Sequence, residues 1–183
     1  MNFKAGILFT LIISINQFMI KSLLIFVPMF MATQSYAQLA DSTRKSPIPT
    51  LTYQQYQAYL KGEAGEDMAR IAEINHYPLP EKVLKYKYEL DLSPIQVKKL
   101  TEAKDYLRRR RLQIGGSIID TEHNLDSMFR YNKVQDGNLI FYTNRYGLYQ
   151  GELKNAFLQA CLSARKLLSD KQMSKYESLQ KRN

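Results

Sequence analysis

The amino-acid sequence predicts an all-α protein built on a long antiparallel helical hairpin with short flanking helices. Three observations carry this. Two helix-start signals of the same form, Leu92-Ser93-Pro94-Ile95-Gln96 and Leu168-Ser169-Asp170-Lys171-Gln172, stand 76 residues apart. Two long stretches place apolar residues at steps of three, four and seven, the period of one helix face. No segment of four to eight residues shows strand alternation bounded by turn residues.

The first 37 residues differ from the rest. They hold two bases, Lys4 and Lys21, no acid, and an apolar run interrupted by Asn16, Gln17 and Lys21. Neither half reaches the roughly 18 to 20 uninterrupted apolar residues of a spanning helix. Read from Met19, a candidate alternative to Met1 as the translation start, the segment has the parts of a secretory signal. Lys21 is its charged region, Leu23 to Ala32 its apolar core, and Ser35-Tyr36-Ala37 its small-residue cleavage site before Gln38. The expectation is therefore a periplasmic domain. The competing reading, an uncleaved N-terminal anchor in the inner membrane, exports the same domain. Removal of residues 1–37 leaves 24 basic and 17 acidic residues, a surplus of seven positive charges. Such a surplus suits acidic partners and also ordinary solubility. The single cysteine, Cys161, cannot close an intramolecular disulfide, so stability must come from packing or from a partner chain.

Residues 38–52, with Ser42, Thr43, Ser46, Pro47 and Pro49, lack a hydrophobic period and read as a flexible arm, which leaves 53–183 as the helical domain. From Tyr53 to Ile74 the pattern is helical but weak, because Gly62 and Gly65 each cost a helix interior about 1 kcal/mol. Pro78 and Pro80 force an extended turn, and a short helix is expected from Glu81 to Leu90. At Ser93 the signal is a capping box: the serine caps, Pro94 takes the first helical position, and Gln96 reaches back to the cap backbone. The helix it opens is expected to run from Pro94 to Arg130, about 55 Å at the rise of an α-helix, with Leu100, Leu107, Ile114, Ile118 and Leu125 on one face. After a turn at Asn132 to Gly137, a second long helix, capped by Asp136 or Asn138, carries Phe141, Leu148, Leu153, Phe157, Ala160 and Leu167 on its apolar face. The second box, at Ser169 and Gln172, opens a short final helix with Met173, Tyr176 and Leu179.

The paired Leu-Ser-x-x-Gln boxes resemble the two Leu-Thr-x-x-Gln motifs of the Spy/CpxP family of periplasmic proteins, which includes heavy-metal sensors and resistance proteins. The likeness spans Lys61 to Gln180. It includes Gly62-Glu63, Ala72-Glu73-Ile74-Asn75, Pro78-x-Pro80 and Val83-Leu84, which look like an N-terminal pattern of one branch. The resemblance implies a curved hairpin that pairs with a second copy into a cradle. Its concave face would hold unfolded or aggregation-prone envelope proteins without ATP. A homodimer is expected on physical grounds too, since two long helices bury little surface alone.

The residues proposed for client contact are Arg108-Arg109-Arg110-Arg111 with Leu107, Leu112 and Ile114. Four consecutive arginines sweep about 300° around a helix, so at least one guanidinium must lie near the apolar stripe. The plainer reading is a solvated charged face paired with Glu102 and Asp105. Gly115-Gly116, and Gly147 with Gly151, offer either a bend or a close helix approach. The tyrosine steps Tyr53, Tyr56, Tyr59 and Tyr142, Tyr146, Tyr149 read as partly buried core or as adaptable contact surface.

The rival function is a metal-responsive sensor or resistance protein acting on a membrane sensor kinase. The metal-binding branches place histidines where this chain has Lys82, Phe157 and Cys161, and the remaining His76 and His123 are not at ligand spacing. No metal or other cofactor is expected. Nucleic acid is not an expected partner, because the arginines cluster on one turn without a recognition motif. No catalytic set is legible either: no nucleophile has a plausible base, and no phosphate-binding glycine loop is present.

Overall fold

A computed structural model describes residues 44–181; the expected leader, residues 1–37, and residues 38–43 of the arm lie outside them. Every regular element among the described residues is helical. In chain order these are α1 (Tyr53–Lys61), a 3₁₀ turn (Glu66–Ala69), α2 (Arg70–Glu73), α3 (Pro80–Lys85), α4 (Pro94–Arg130), α5 (Asp136–Leu167) and α6 (Asp170–Gln180).

The glycines break the weak N-terminal helix where the sequence suggests. Gly62 (φ 67°) closes α1 and Gly65 (φ 83°) precedes the 3₁₀ turn, both in left-handed conformations that cost a residue with a Cβ. The segment expected over Glu81 to Leu90 is helical only as far as Lys85. Beyond it the chain makes tight turns, with the N–H of Leu90 donating to Tyr86 and that of Leu92 to Lys87, and with Asp91 at φ 48°.

Both predicted boxes form. Ser93 and Ser169 each accept from the N–H three residues on, and Gln96 and Gln172 each accept from the cap N–H. A third box opens α1, with Thr52 and Gln55 in the same roles. It belongs to a Leu51-Thr52-Tyr53-Gln54-Gln55 motif that straddles the boundary expected between the arm and the helical domain, with only Leu51 and Thr52 in the arm. The arm is correspondingly shorter than expected: Ile48 and Leu51 are buried, and the Thr50 hydroxyl donates to Glu122 on α4 at 2.7 Å. The sequence hid this because two isolated apolar residues, Ile48 and Leu51, beside Pro47 and Pro49 carry no period. The expected cap of α5 is also corrected. Gln135 is its cap residue, without a side-chain bond, and Asp136 is the first helical residue, where its charge complements the helix dipole.

The core has two parts. One gathers Leu107, Ile114 and Ile118 of α4 with Leu153, Phe157 and Cys161 of α5, sealed by Ala69 and Leu79. The other gathers Val83, Tyr86 and Leu90 with Leu100, Ala164, Leu168, Met173 and Tyr176. Both lie toward the start of α4 and the end of α5. Between Glu122 and Glu152 no residue is buried.

Gly115 explains how α1 joins this core. A Cβ there would run into the carbonyl oxygen of Tyr59, so α1 crosses α4 at the one place where a side chain is missing. Gly116, Gly147 and Gly151 face open space, so of the four only Gly115 permits a close approach.

Candidate functional site

The two serine-glutamine boxes meet. Gln96 already holds the N–H of Ser93 through Oε1, and its Nε2 donates to the carbonyl of Leu167 at 2.7 Å and to Oε1 of Gln172 at 2.9 Å. Gln172 mirrors it: Oε1 accepts from the N–H of Ser169, and Nε2 donates to the carbonyl of Leu90 at 3.3 Å and to Oε1 of Gln96 at 3.3 Å. Each amide therefore satisfies its own cap, the end of the other motif's preceding segment, and its twin. Leu168 is buried in the second core cluster and Leu92 packs against that cluster. These six residues tie the start of α4, the end of α5 and the start of α6 together. Their chemistry is structural.

The arginine run divides by face, as the sweep of a helix requires. Arg108 and Arg109 are exposed. Arg110 crosses to α5 and meets Glu152 at 3.2 Å, in place of the expected pairing with Glu102 or Asp105. Arg111 turns inward, with its guanidinium carbon 4.9 Å from the Phe157 ring centroid. Its Nε and Nη2 are sealed from solvent without a hydrogen-bond partner. Two of the apolar residues assigned to client contact are not available for it. Leu107 is 1% and Ile114 2% exposed, because they occupy the α4 face that packs on Phe157 and Leu153. Leu112 remains on the surface.

Exposed apolar surface lies farther along instead. Phe129, Tyr131, Ile140, Phe141 and Leu148 are all more than half exposed, spread over the distal parts of α4 and α5 and the turn between them. Their helical steps place them away from the two core clusters, so the apolar face predicted for α5 divides: Leu153 and Phe157 are buried, and Phe141 and Leu148 are not. The tyrosines divide similarly. Tyr59 and Tyr146 are half-buried and both accept from Nε2 of Gln150, at 3.0 and 3.2 Å, and burial raises the phenol pKa of Tyr146.

Cys161 is fully buried, and its thiol is pushed up to about 12, mainly by burial and then by the charge of Glu73. Such a thiol is a poor nucleophile and metal ligand. His76, in a left-handed turn (φ 69°), contacts Glu177 at 2.7 Å and so links the segment after α2 to α6. Among the described residues no three His, Cys, Asp or Glu side chains group as metal ligands, and no helix is long and apolar enough to cross a membrane. No family model, curated protein or solved structure matches this chain.

Proposed function

We propose that this chain is an exported, non-enzymatic binding protein of the Spy/CpxP kind, an ATP-independent periplasmic chaperone or envelope stress protein that holds unfolded or aggregation-prone proteins. In this reading α4 and α5 are the arms of a hairpin, and two copies pair to form the binding surface.

One observation carries the reading: a stretch of 31 residues, from Glu122 to Glu152, has no fully buried residue and displays Phe129, Ile140, Phe141 and Leu148. Apolar side chains collected on a thin helical extension are an adhesive surface, which either a second copy or a non-native chain would cover. Exposed Arg108 and Arg109, with Leu112 nearby, place cationic and apolar groups on one helix. That mixture attracts acidic segments at long range and holds them loosely at short range. The interlocked glutamines support the kinship with the family's paired motifs and give them a physical role, that of clamping the base of the hairpin.

The test is suppression of aggregation of a chemically denatured client by the purified mature chain, at low and high salt and without nucleotide. Protection that weakens with salt is expected. An absence of protection at either salt would sink the reading.

A further inference from the structure

Between Gly137 and Gly151 the distal part of α5 carries one charged residue, Arg145. Its side chain is exposed, yet it is held in place. Phe141 lies four residues before it and Tyr149 four after, so the helix stacks the three in one row. The guanidinium carbon is 5.3 Å from the Phe141 ring centroid and 5.5 Å from that of Tyr149, within cation–π range of both. Its Nη2 donates to the Tyr149 hydroxyl. Leu148, three residues after Arg145 and 59% exposed, adds aliphatic surface beside the row.

A guanidinium so placed attracts a carboxylate, and this chain supplies none. Arg145 belongs to no ion pair among the described residues. Of the carboxylates between Glu122 and Glu152, Glu152 is taken by Arg110, Asp126 by Arg130, and Glu122 accepts from the Thr50 hydroxyl. The remaining one, Asp136, stands nine residues before Arg145. That spacing puts it about 14 Å away along α5 and half a turn round the helix. Of the five N–H donors of the guanidinium, those not given to Tyr149 stay open to an outside acceptor. The two rings and the hydroxyl already restrict the side chain, so binding forfeits little of the rotamer freedom that an unsupported arginine would lose.

We propose that this patch takes non-native segments in which an aspartate or glutamate stands beside a leucine or an aromatic residue. The carboxylate pairs with Arg145, and its apolar neighbour lies against Phe141 and Leu148. Charge complementarity selects this occupant, because the patch is cationic and apolar with no acid of its own to compete. The proposal rests on the reading of the distal surface as a site for non-native chains, and it narrows the class of segment that surface prefers.

The experiment measures, by fluorescence anisotropy at low salt, the binding of the purified mature chain to two short, blocked, labelled peptides. One is built of Phe, Leu, Ser and Asp; its twin has Asn at every Asp. The acidic peptide should bind about three- to tenfold more tightly than the twin, and added salt should narrow the gap. Arg145→Gln should remove most of that difference, and Arg145→Lys, which keeps the charge and loses the fork, should fall between. Lys154→Gln deletes one positive charge from the opposite side of α5, nine residues on, and should keep the native ratio. Equal losses in the two Gln variants would mean general attraction by the net charge and overturn the proposal, as would a ratio that Arg145→Gln leaves unchanged. A second copy seated on the patch would overturn it too, and reads as Arg145→Gln dissociating a dimer in sedimentation without peptide. Equal binding of both peptides with aggregation still suppressed removes the role of Arg145 alone. Binding of neither peptide, with no suppression, removes the chaperone reading as well.

Discussion

Gln96 and Gln172, 76 residues apart, hydrogen-bond to each other while each closes its own capping box. Every polar atom of one amide is thus committed to backbone or to its twin. Removing either side chain strands a carbonyl, that of Leu167 or of Leu90, as well as a cap N–H. Gln96→Ala or Gln172→Ala should each destabilise the fold by about 1–3 kcal/mol. Because the two share partners, the double variant should cost less than the sum, with a coupling of at least about 0.5 kcal/mol. Urea denaturation of the four proteins measures this. Strict additivity would show that the amides act independently.

Gly115 and Gly116 are neighbours in sequence with opposite demands. Gly115→Ala drives a methyl into the Tyr59 carbonyl, backbone that cannot move aside cheaply, and should destabilise by about 1–3 kcal/mol. Gly116→Ala meets open space and should stabilise by up to about 1 kcal/mol through helix propensity. Gly147→Ala and Gly151→Ala should behave like Gly116→Ala. Thermal unfolding of the single variants checks the contrast.

What the sequence made legible was whatever is local. The limits of α4 follow from Ser93, Pro94 and Gln96 at one end and the break after Arg130 at the other, all read within a few residues. The glycine breaks at 62 and 65 are equally local. Long-range placement was not legible. Periodicity puts Leu107 and Ile114 on an apolar face without saying whether that face meets α5 or a client, and the structure buries both. It gives Phe141 and Leu148 the same apolar character as Phe157, yet only Phe157 has Gly65 and Leu153 to cover it. The meeting of Gln96 with Gln172 depends on α4 and α5 together returning the chain to its start, which no window of residues encodes. The Leu51-Thr52-x-x-Gln55 box was readable by the rule applied at Ser93 and was missed because proline-rich flanks suggested an arm.

The distal apolar groups should separate binding from stability. Phe129→Ser and Ile140→Ser alter side chains that are 59% and 60% exposed, so each should change folding free energy by no more than about 0.5 kcal/mol. Together they should lower client protection or self-association measurably. Analytical ultracentrifugation and the aggregation assay read these effects. Unchanged values in both, with the fold intact, would remove this surface from the proposed function.

Cys161 gives a pH dependence whose sign can be worked out. Burial raises its thiol pKa from an ordinary 9.0 to about 12, and Tyr176 and Tyr146 are raised from 10.0 by the same cause. The native state therefore keeps protons that the unfolded chain releases. Stability is fully present below pH 9 and falls as pH rises from there toward 12, by at most about 1.4 kcal/mol per pH unit for each group titrating. Urea denaturation at pH 8, 9, 10 and 11 should show midpoints that decline from pH 9 upward. Cys161→Ala should be less stable at pH 8, because it leaves a small cavity beside Phe157, but its decline between pH 9 and 10 should be shallower. At pH 8 the native thiol should resist a disulfide reagent that labels the unfolded chain at once. Rapid labelling of the folded protein at pH 8 would mean that the helix pair around Cys161 opens far more readily than its packing suggests.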